Sequence, residues 1–259
     1  MTLEIKNLRY AYKKNLVLMG VDVSADIGQC VCLLGENGAG KTTLFRCLLG
    51  FLNGYRGEIY LDGVKTKHLS IRELAKKIAY IPQAHAPMFN YTVFETVLMG
   101  TNILRDKLRI PGRGEREVAW EMLELMNITR LAERGYAEIS GGERQLALIA
   151  RALAQKSRIL VMDEPTANLD YGNQFRVMRQ IKQLAKQGYL VVLSTHNPEH
   201  AILFADTVLV LKDGRAMMHG EPEEVLNPEM IEKVYGVSVD LQRVDTSKGS
   251  VPVFVPQYE

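Results

Sequence analysis

A glycine-rich segment near the N-terminus has the residue types and spacing of a phosphate-binding loop. Residues 35–42 read GENGAGKT and match the pattern G-x-x-x-x-G-K-[S/T]. Glycine lets a backbone approach phosphate oxygens and direct N–H groups at them, and a helix that begins there adds its positive end. Lys41 can reach the β- and γ-phosphates of a nucleoside triphosphate, and the Thr42 hydroxyl can bind Mg²⁺. The candidate nucleotide contacts in this phosphate loop are Gly35, Asn37, Gly38, Gly40, Lys41, Thr42 and Thr43.

Two adjacent carboxylates, Asp163 and Glu164, follow a short apolar run at residues 159–162. A strand that ends in solvated acids would give the same pattern. Beside a phosphate loop, however, the pair favours phosphoryl transfer to water. Asp163 would then hold Mg²⁺, and Glu164 would polarise the attacking water.

A serine followed by two glycines opens a predicted helix at residues 143–154. Ser140 occupies the position of an N-cap. Two glycines weaken a helix start, which makes sense if an anion must approach the backbone there. An ordinary capped helix is the alternative interpretation of this segment.

These segments, with four more, resemble in kind and order the ATP-binding subunits of ABC (ATP-binding cassette) transporters. Residues 140–145 (SGGERQ) resemble the signature of that family, with Ile139 in place of its usual leucine. The resemblance covers nearly the whole chain and implies an ATPase that uses ATP and Mg²⁺. The further residues that carry it are Tyr12, Gln83, Asp170 in the segment ANLD and His196 in STHNPEH. The implied catalytic residues are Glu164, His196, Gln83 and Lys41, and the implied metal contacts are Thr42, Gln83 and Asp163.

The resemblance also implies how further residues contact the nucleotide. Tyr12 would stack on adenine, Gln83 would sense Mg²⁺ and the γ-phosphate, and His196 would contact the γ-phosphate. Each of these three residues, taken singly, is more often an ordinary residue at the end of a strand.

A head-to-tail dimer follows from the family resemblance. Ser140 and Gly142 would bind the γ-phosphate of ATP held by a second copy of the chain, and Asp170 would help to align the two copies. Two ATP molecules would then lie in the interface, which makes nucleotide part of the dimer.

Several segments are similar to the importer ATPases for iron-siderophore, haem and vitamin B12, a branch shared with molybdate-type importers. The sequences LDYGNQ (169–174) and THNPEHA (195–201) are the most telling. The implied partners are two permease subunits and, indirectly, a periplasmic or extracellular substrate-binding protein. The alternatives are the ATPase of an ABC exporter and a soluble ABC ATPase that acts on DNA or ribosomes.

Composition argues against nucleic acid as a partner. The 259 residues include 32 basic and 30 acidic side chains, for a net charge of +2, and 47% are hydrophobic. No basic stripe or heptad run is visible. No apolar run reaches the roughly 18 to 20 residues that cross a bilayer, and residues 1–10 (MTLEIKNLRY) alternate like a strand instead of forming the apolar core of a signal peptide. We therefore expect a peripheral protein on the cytoplasmic face of the cell membrane.

We predict that the three cysteines pack in the core and take no part in chemistry. The count of three (Cys30, Cys32 and Cys47) is odd and small, which suits a reducing compartment better than a disulfide framework, and we expect these residues to be buried and reduced. His196 and His200 have a spacing that could hold a metal on a helix. Pro198 lies between them and no third ligand is evident, so metal binding there is the weaker interpretation.

The order of apolar runs predicts an α/β fold. Residues 3–10 and 17–27 alternate as in an antiparallel sheet, and residues 30–34, 78–82, 159–163, 190–194 and 208–211 predict a mostly parallel sheet. Residues 1–83 and about 156–220 would form the core of a P-loop ABC ATPase with flanking helices. An α-helical subdomain would be inserted at about 84–155, and about 221–259 would be a C-terminal extension.

The apolar segment QAHAPMFNY at residues 83–91 is the predicted permease-docking surface. Met88, Phe89 and Tyr91 are unusually apolar for a loop, and the segment directly follows Gln83. Packing under the helical subdomain is the alternative.

Overall fold

The computed structural model describes residues 2–83, 91–104, 110–247 and 249–257, and within these ranges the chain forms twelve strands and nine α-helices. The strands are β1 (Thr2–Tyr12), β2 (Asn15–Asp26), β3 (Cys30–Leu34), β4 (Arg56–Leu61), β5 (Val64–Lys65), β6 (Ile78–Ile81), β7 (Ile159–Met162), β8 (Leu190–Thr195), β9 (Thr207–Lys212), β10 (Arg215–Gly220), β11 (Val239–Thr246) and β12 (Gly249–Pro256). The α-helices are α1 (Lys41–Leu48), α2 (Ile71–Lys77), α3 (Val93–Leu98), α4 (Arg113–Leu125), α5 (Gly141–Leu153), α6 (Tyr171–Lys186), α7 (Pro198–Phe204), α8 (Pro222–Val225) and α9 (Pro228–Tyr235).

A six-stranded sheet with the order β10-β9-β3-β8-β7-β6 forms the centre of the molecule. All its strands run parallel except β10, which pairs antiparallel with β9. Every residue of β3, β7 and β8 is buried, and side chains along β3 alternate between two separate hydrophobic cores. A strand covered on both faces has no polar side to show, which explains its continuous apolar sequence. The predicted mostly parallel sheet is confirmed.

Parallel strands bring their carboxyl ends to the same edge of a sheet, where ligands bind in open α/β folds. β3 leads into the phosphate loop at this edge, and β7 leads into Asp163 and Glu164. β8 leads into His196, and β6 leads to Gln83. The topology alone therefore gathers residues that are far apart in the sequence.

A four-stranded antiparallel sheet, in the order β2-β1-β4-β5, covers one of the two cores. It contains both strands that the N-terminal alternation predicted. β4 turns into β5 through Asp62 and Gly63, whose φ angles are 53° and 75°. Left-handed backbone at both central residues is the type I′ turn, which an Asp-Gly pair between two strands favours.

The described residues between β6 and β7 form helices and turns with one isolated β-bridge, between Thr92 and Gly135. α3, α4 and α5 pack on one another around buried Leu123, Leu146 and Ile149. The side chain of Ile139 is 4% exposed. Isoleucine therefore fills the position where a signature leucine was expected, as a volume-conserving change allows.

The C-terminal part, which the sequence left unassigned beyond an extension, contains α8, α9 and a hairpin of β11 and β12. The hairpin pairs in continuous register from Val239 with Pro256 to Thr246 with Gly249. Val239 and Phe254 are buried in the larger core, which fixes the base of the hairpin to the rest of the molecule.

The three cysteines are buried and unpaired, as expected. Burial raises the pKa of the Cys30 and Cys47 thiols to about 12 and raises the pKa of the Cys32 thiol well above its ordinary value. Thiols in this state are inert, so their role is packing.

None of the described helices combines the length and apolar character that a membrane span requires.

Candidate functional site

The phosphate loop runs from the end of β3 to the start of α1. Gly38 and Gly40 have φ angles of 86° and 107°, in the left-handed region that glycine tolerates best. Gly35 is constrained by space instead, because a Cβ atom there would lie 2.2 Å from the carbonyl oxygen of Leu211 on β9. Glycine at these positions lets the loop curl tightly above the N-terminus of α1, where backbone N–H groups remain free of helical partners.

Lys41, the first residue of α1, is held inside the loop. Its side chain is 5% exposed, and its Nζ donates hydrogen bonds to the carbonyl oxygens of Gly35 (2.6 Å) and Glu36 (3.0 Å). The same nitrogen lies 3.5 Å from Oε1 of Glu164. The buried ammonium group is thus fixed at the place where an anion would enter.

Asp163 is the centre of a small hydrogen-bond network at the end of β7. Its Oδ2 accepts a bond from Oγ1 of Thr42 (2.9 Å), and its Oδ1 accepts one from Oγ of Ser194 (2.7 Å). Ser194 is fully buried on β8 and also accepts a bond from the backbone N–H of Glu164 (3.0 Å). The hydroxyl of Thr42 and the carboxylate of Asp163 are therefore brought together as oxygen ligands.

The carboxylate of Glu164 lies between Lys41 of the phosphate loop and His196. Its Oε2 lies 3.5 Å from Nδ1 of His196, while Oε1 faces Lys41. The residue has a φ angle of 46°, which is uncommon for a residue with a side chain. This backbone conformation and the bond from its N–H to Ser194 together fix where the carboxylate points.

Two neighbouring clefts share Glu164 as a common wall. The first cleft is lined by Val17, Glu36, Asn37, Gly38, Gly40, Lys41, Thr42, Thr43 and Glu164. The second is lined by Gln83, Glu164, Thr166, Ala167, Asn168, Gln174, Thr195, His196, Asn197 and His200. The carboxyl edge of the sheet thus brings the phosphate loop, the two acids, Gln83 and His196 together, as the sequence led us to expect.

Tyr12 is close to this edge in topology but lines neither cleft. It ends β1, is 39% exposed and packs edge-to-face on Tyr10 with ring centroids 5.0 Å apart. Val17, on the strand that pairs with β1, does line the first cleft. Tyr12 is therefore an exposed aromatic residue near the end of the hairpin whose second strand contributes Val17 to the cleft.

Ser140 caps α5 in a capping box with Glu143. Its Oγ accepts a bond from the N–H of Glu143 (3.3 Å), and the Glu143 carboxylate accepts a bond from the N–H of Ser140 (3.0 Å). Arg130 pairs with the same carboxylate. Neither Ser140 nor Gly142 lines either cleft, so the signature and the phosphate loop of one chain do not form one site.

Asp170 caps α6 and also lies outside both clefts. Its Oδ1 accepts a bond from the N–H of Asn173 (2.9 Å) and its Oδ2 accepts one from Nδ2 of the same residue (2.7 Å). These bonds, the backbone bond first, lower the pKa of the Asp170 carboxyl group. Asp170 is thus an exposed, ionised carboxylate with a fixed orientation.

His196 and His200 do not share a helix, because α7 begins at Pro198. His200 is buried, and its Nδ1 lies 3.4 Å from Oγ1 of Thr166. Burial, and then the nearby His196, lower the pKa of His200. Among the described residues, no group of three or more His, Cys, Asp or Glu side chains is arranged to hold a metal ion.

Two residues at this site were missed from the sequence. Ser194 bonds to Asp163 and Glu164, and Asn173 contacts both Asp170 and Gly142. Ser194 could have been found as the polar residue that interrupts an apolar run on a strand expected beside β7. Asn173 gives only the weak signal of a polar residue three positions after an N-cap.

A family comparison identifies the fold to which this site belongs. Residues 18–167 match the model of the family described as ABC transporter. An uncharacterised ABC transporter ATP-binding protein of Haemophilus influenzae is 39% identical over 93% of this chain and 92% of its own length. A hemin import ATP-binding protein of Burkholderia ambifaria is 35% identical over 96% of this chain and 98% of its own. A petrobactin import ATP-binding protein of Bacillus anthracis is 34% identical over 92% and 88%.

Solved structures agree with the sequence relatives. A metal-chelate type ABC transporter in an inward-facing conformation superposes with a TM-score of 0.88 and 30% identity, over 99% of this chain and 97% of the other. An ATP-binding cassette in its ADP conformation gives a TM-score of 0.81 with 28% identity, over 90% and 98%. The predicted P-loop ABC ATPase fold is confirmed, and the chain belongs to the ABC transporter family as an ATP-binding subunit that hydrolyses ATP.

Proposed function

We propose that this chain powers the import of a metal chelate, such as haem or an iron-siderophore. The observation that carries the proposal is similarity along nearly the whole chain to ATP-binding proteins named for hemin and petrobactin import. The high similarity to a metal-chelate type transporter supports the same assignment. An ABC importer ATPase works with permease components, and here we propose two permease subunits, supplied with cargo by a substrate-binding protein.

The first cleft would hold the triphosphate. The phosphate loop and the N-terminus of α1 line the cleft, where backbone N–H groups would bind phosphate oxygens. Lys41 would exchange its carbonyl partners for the β- and γ-phosphates. Tyr12, an exposed aromatic residue, would stack on adenine. Asn37, Thr42 and Thr43 line the same cleft and would complete the contacts to the nucleotide.

The oxygen atoms of Thr42 and Asp163 fit Mg²⁺. They lie 2.9 Å apart at the base of the loop, and a hydroxyl and a carboxylate are ligand types that this cation prefers. Gln83, in the adjoining cleft, would complete the contacts on the side of the γ-phosphate. When bound, Mg²⁺ supplies positive charge that offsets the charge of the β- and γ-phosphates.

Glu164 is the proposed base. Its carboxylate lies between Lys41 and His196, so it can accept a proton from a water molecule placed against the γ-phosphate. His196 would contact the γ-phosphate from the opposite side. Ser194 keeps the backbone of Glu164 in place, so the carboxylate keeps its orientation during the reaction.

Two copies of the chain would close head-to-tail over two ATP molecules. Ser140 and Gly142 lie outside the cleft of their own chain, so they would reach the γ-phosphate bound by the second copy. Asp170, exposed and ionised, would align the two copies. Closure on ATP and opening after hydrolysis would move the permease, with the ATPase pair on the cytoplasmic face of the membrane. The proposed docking segment at residues 83–91 lies largely outside the described residues.

Substitution Glu164→Gln tests the mechanism. We expect the purified variant to bind ATP, to form a stable dimer with ATP and Mg²⁺, and to lose at least 100-fold in ATP turnover. Glu199→Gln is the matched control, since Glu199 is exposed nearby and lines neither cleft. Retained turnover in Glu164→Gln, or a monomer with ATP bound, would contradict the proposal.

The cargo is tested by transport. The chain, its permease and its binding protein are reconstituted in liposomes with ATP, and uptake of haem, a ferric siderophore, cobalamin and molybdate is compared. We expect ATP-dependent uptake of a metal chelate, abolished by Glu164→Gln. Uptake of molybdate alone, or cargo movement only in the outward direction, would overturn the metal-chelate importer.

A further inference from the structure

The N-terminal ends of α5 and α6 are in direct contact, at the two segments that would face a second copy of the chain. Gly142, on the first turn of α5, is buried against the side chain of Asn173 on the first turn of α6. A Cβ atom at Gly142 would lie 2.5 Å from Oδ1 and 2.6 Å from Cγ of Asn173. Real Cβ atoms essentially never come within 3.0 Å of such neighbours. The glycine is therefore required by this contact, whatever ligand approaches it.

The side chain of Asn173 is also fixed from its other end. Its Nδ2 donates to Oδ2 of Asp170 (2.7 Å), and its backbone N–H donates to Oδ1 of the same carboxylate (2.9 Å). With Nδ2 committed to Asp170, the amide must present Oδ1 toward Gly142. One side chain thus contacts both the signature and the aspartate that caps α6.

A second contact runs parallel to the first. A Cβ atom at Gly141 would lie 3.2 Å from Cδ2 of Leu169, and the carbonyl oxygen of Leu169 accepts a bond from Nε2 of Gln174 (2.9 Å). The short segment that ends at Asp170 begins at Glu164, only six residues earlier. A displacement of the tip of α5 would therefore be passed to Asp170 and along this segment toward Glu164.

We propose that Asn173 is a positioning residue that locks the signature tip of α5 to Asp170, so that the two segments move as one unit. The inference rests on the proposed head-to-tail dimer, in which that tip binds the nucleotide of the second copy. Occupancy of one site then shifts the segment that leads to Glu164 of the other site. Asn173 is the link through which the two ATP sites cooperate.

The substitution Asn173→Ala removes the amide and keeps the helix. We expect ATP affinity of the monomer within twofold of the parent, a Hill coefficient for ATP hydrolysis that falls to about 1, and kcat reduced about fivefold. Asn227→Ala is the control, because Asn227 caps α9 by accepting the N–H of Met230 and lines neither cleft. Its loss should lower stability and leave the Hill coefficient unchanged.

The contact itself is tested without nucleotide. Gly142→Ala should lower Tm by several degrees, and the same change in an Asn173→Gly background should not lower Tm, because the clashing atoms are gone. A Gly142→Ala effect that persists in that background would overturn the lock, as would an unchanged Hill coefficient in Asn173→Ala. If Glu164→Gln fails to dimerise with ATP, the proposed function fails instead, so the two failures are distinguishable.

Discussion

Substitution of Ser194 by alanine is the most informative single change at this site. The hydroxyl is fully buried and donates to Asp163 at 2.7 Å while accepting from the N–H of Glu164 at 3.0 Å. Alanine removes both bonds and leaves the rest of β8 unchanged. The substitution leaves the phosphate loop unchanged, so we expect ATP binding to be kept while ATP turnover falls.

The structure gives the expected magnitude. A bond to an ionised group contributes about 1.5–3 kcal/mol and a neutral one about 0.5–1.5 kcal/mol, so the free energy of unfolding should fall by about 2–4.5 kcal/mol. Asp163 keeps its bond from Thr42. Glu164 loses a restraint on a left-handed conformation whose cost is about 1–3 kcal/mol. If the looser Glu164 raises the activation free energy of hydrolysis by about 1.4 kcal/mol, kcat falls about tenfold.

The assay is steady-state ATP hydrolysis with Mg²⁺, together with urea unfolding. Ser157→Ala is the matched control, because Ser157 is also fully buried and its hydroxyl donates only to the carbonyl of Ala75 (3.2 Å). We expect Ser194→Ala to lose kcat at constant KM for ATP, and Ser157→Ala to lose about 0.5–1.5 kcal/mol of stability with kcat unchanged. A folded Ser194→Ala enzyme with kcat within twofold of the parent would refute the reasoning. Equal losses of kcat in both variants would refute it as well.

Two further predictions concern protonation and packing. Because burial lowers the pKa of His200 in the folded chain, the unfolded chain binds more protons, so stability should fall as pH drops below the unfolded pKa of about 6.5. Urea titrations at pH 7.5 and pH 5.5 measure this loss of stability, and His200→Gln should reduce it. The substitution should not abolish the loss, since burial also lowers the pKa of His219. An unaltered pH dependence would show that His200 is not its source. Gly35→Ala should weaken ATP binding at least tenfold and lower Tm, because the new methyl group meets the carbonyl oxygen of Leu211. Gly114→Ala, where nothing lies within 4 Å of the added Cβ, should leave ATP binding unchanged and slightly raise Tm.

The exact ends of some elements could be predicted because local sequence signals mark where they begin and end. β3 was predicted at residues 30–34, since a fully apolar run ends at a glycine loop, and the structure has the same bounds. α2 begins at Ile71, directly after Ser70, which forms a capping box with Glu73, so the sequence carries a local signal for its start. The grouping of the phosphate loop, Asp163, Glu164 and His196 was implied by the family resemblance. The structure brings these residues together because parallel strands share a carboxyl edge.

Other features depend on contacts that the sequence does not encode locally. The bond from Ser194 to Asp163 joins residues 31 positions apart on adjacent strands. The contact of Asn173 with Gly142 exists only because two helix tips meet. The C-terminal hairpin escaped prediction because few of its residues, among them Val239 and Phe254, are buried, so its strands show no clear alternation.

The two ends of the connection between β6 and β7 are held differently. These strands are parallel neighbours, so the chain leaves the sheet at the carboxyl edge through Gln83 and returns at the opposite edge. The returning end is fastened, since Gln155 and Ser157 both donate to the carbonyl oxygen of Ala75, at 3.1 and 3.2 Å. These bonds hold the chain after α5 to α2, so the start of β7 is fixed to α2 on the side of the sheet away from Gln83.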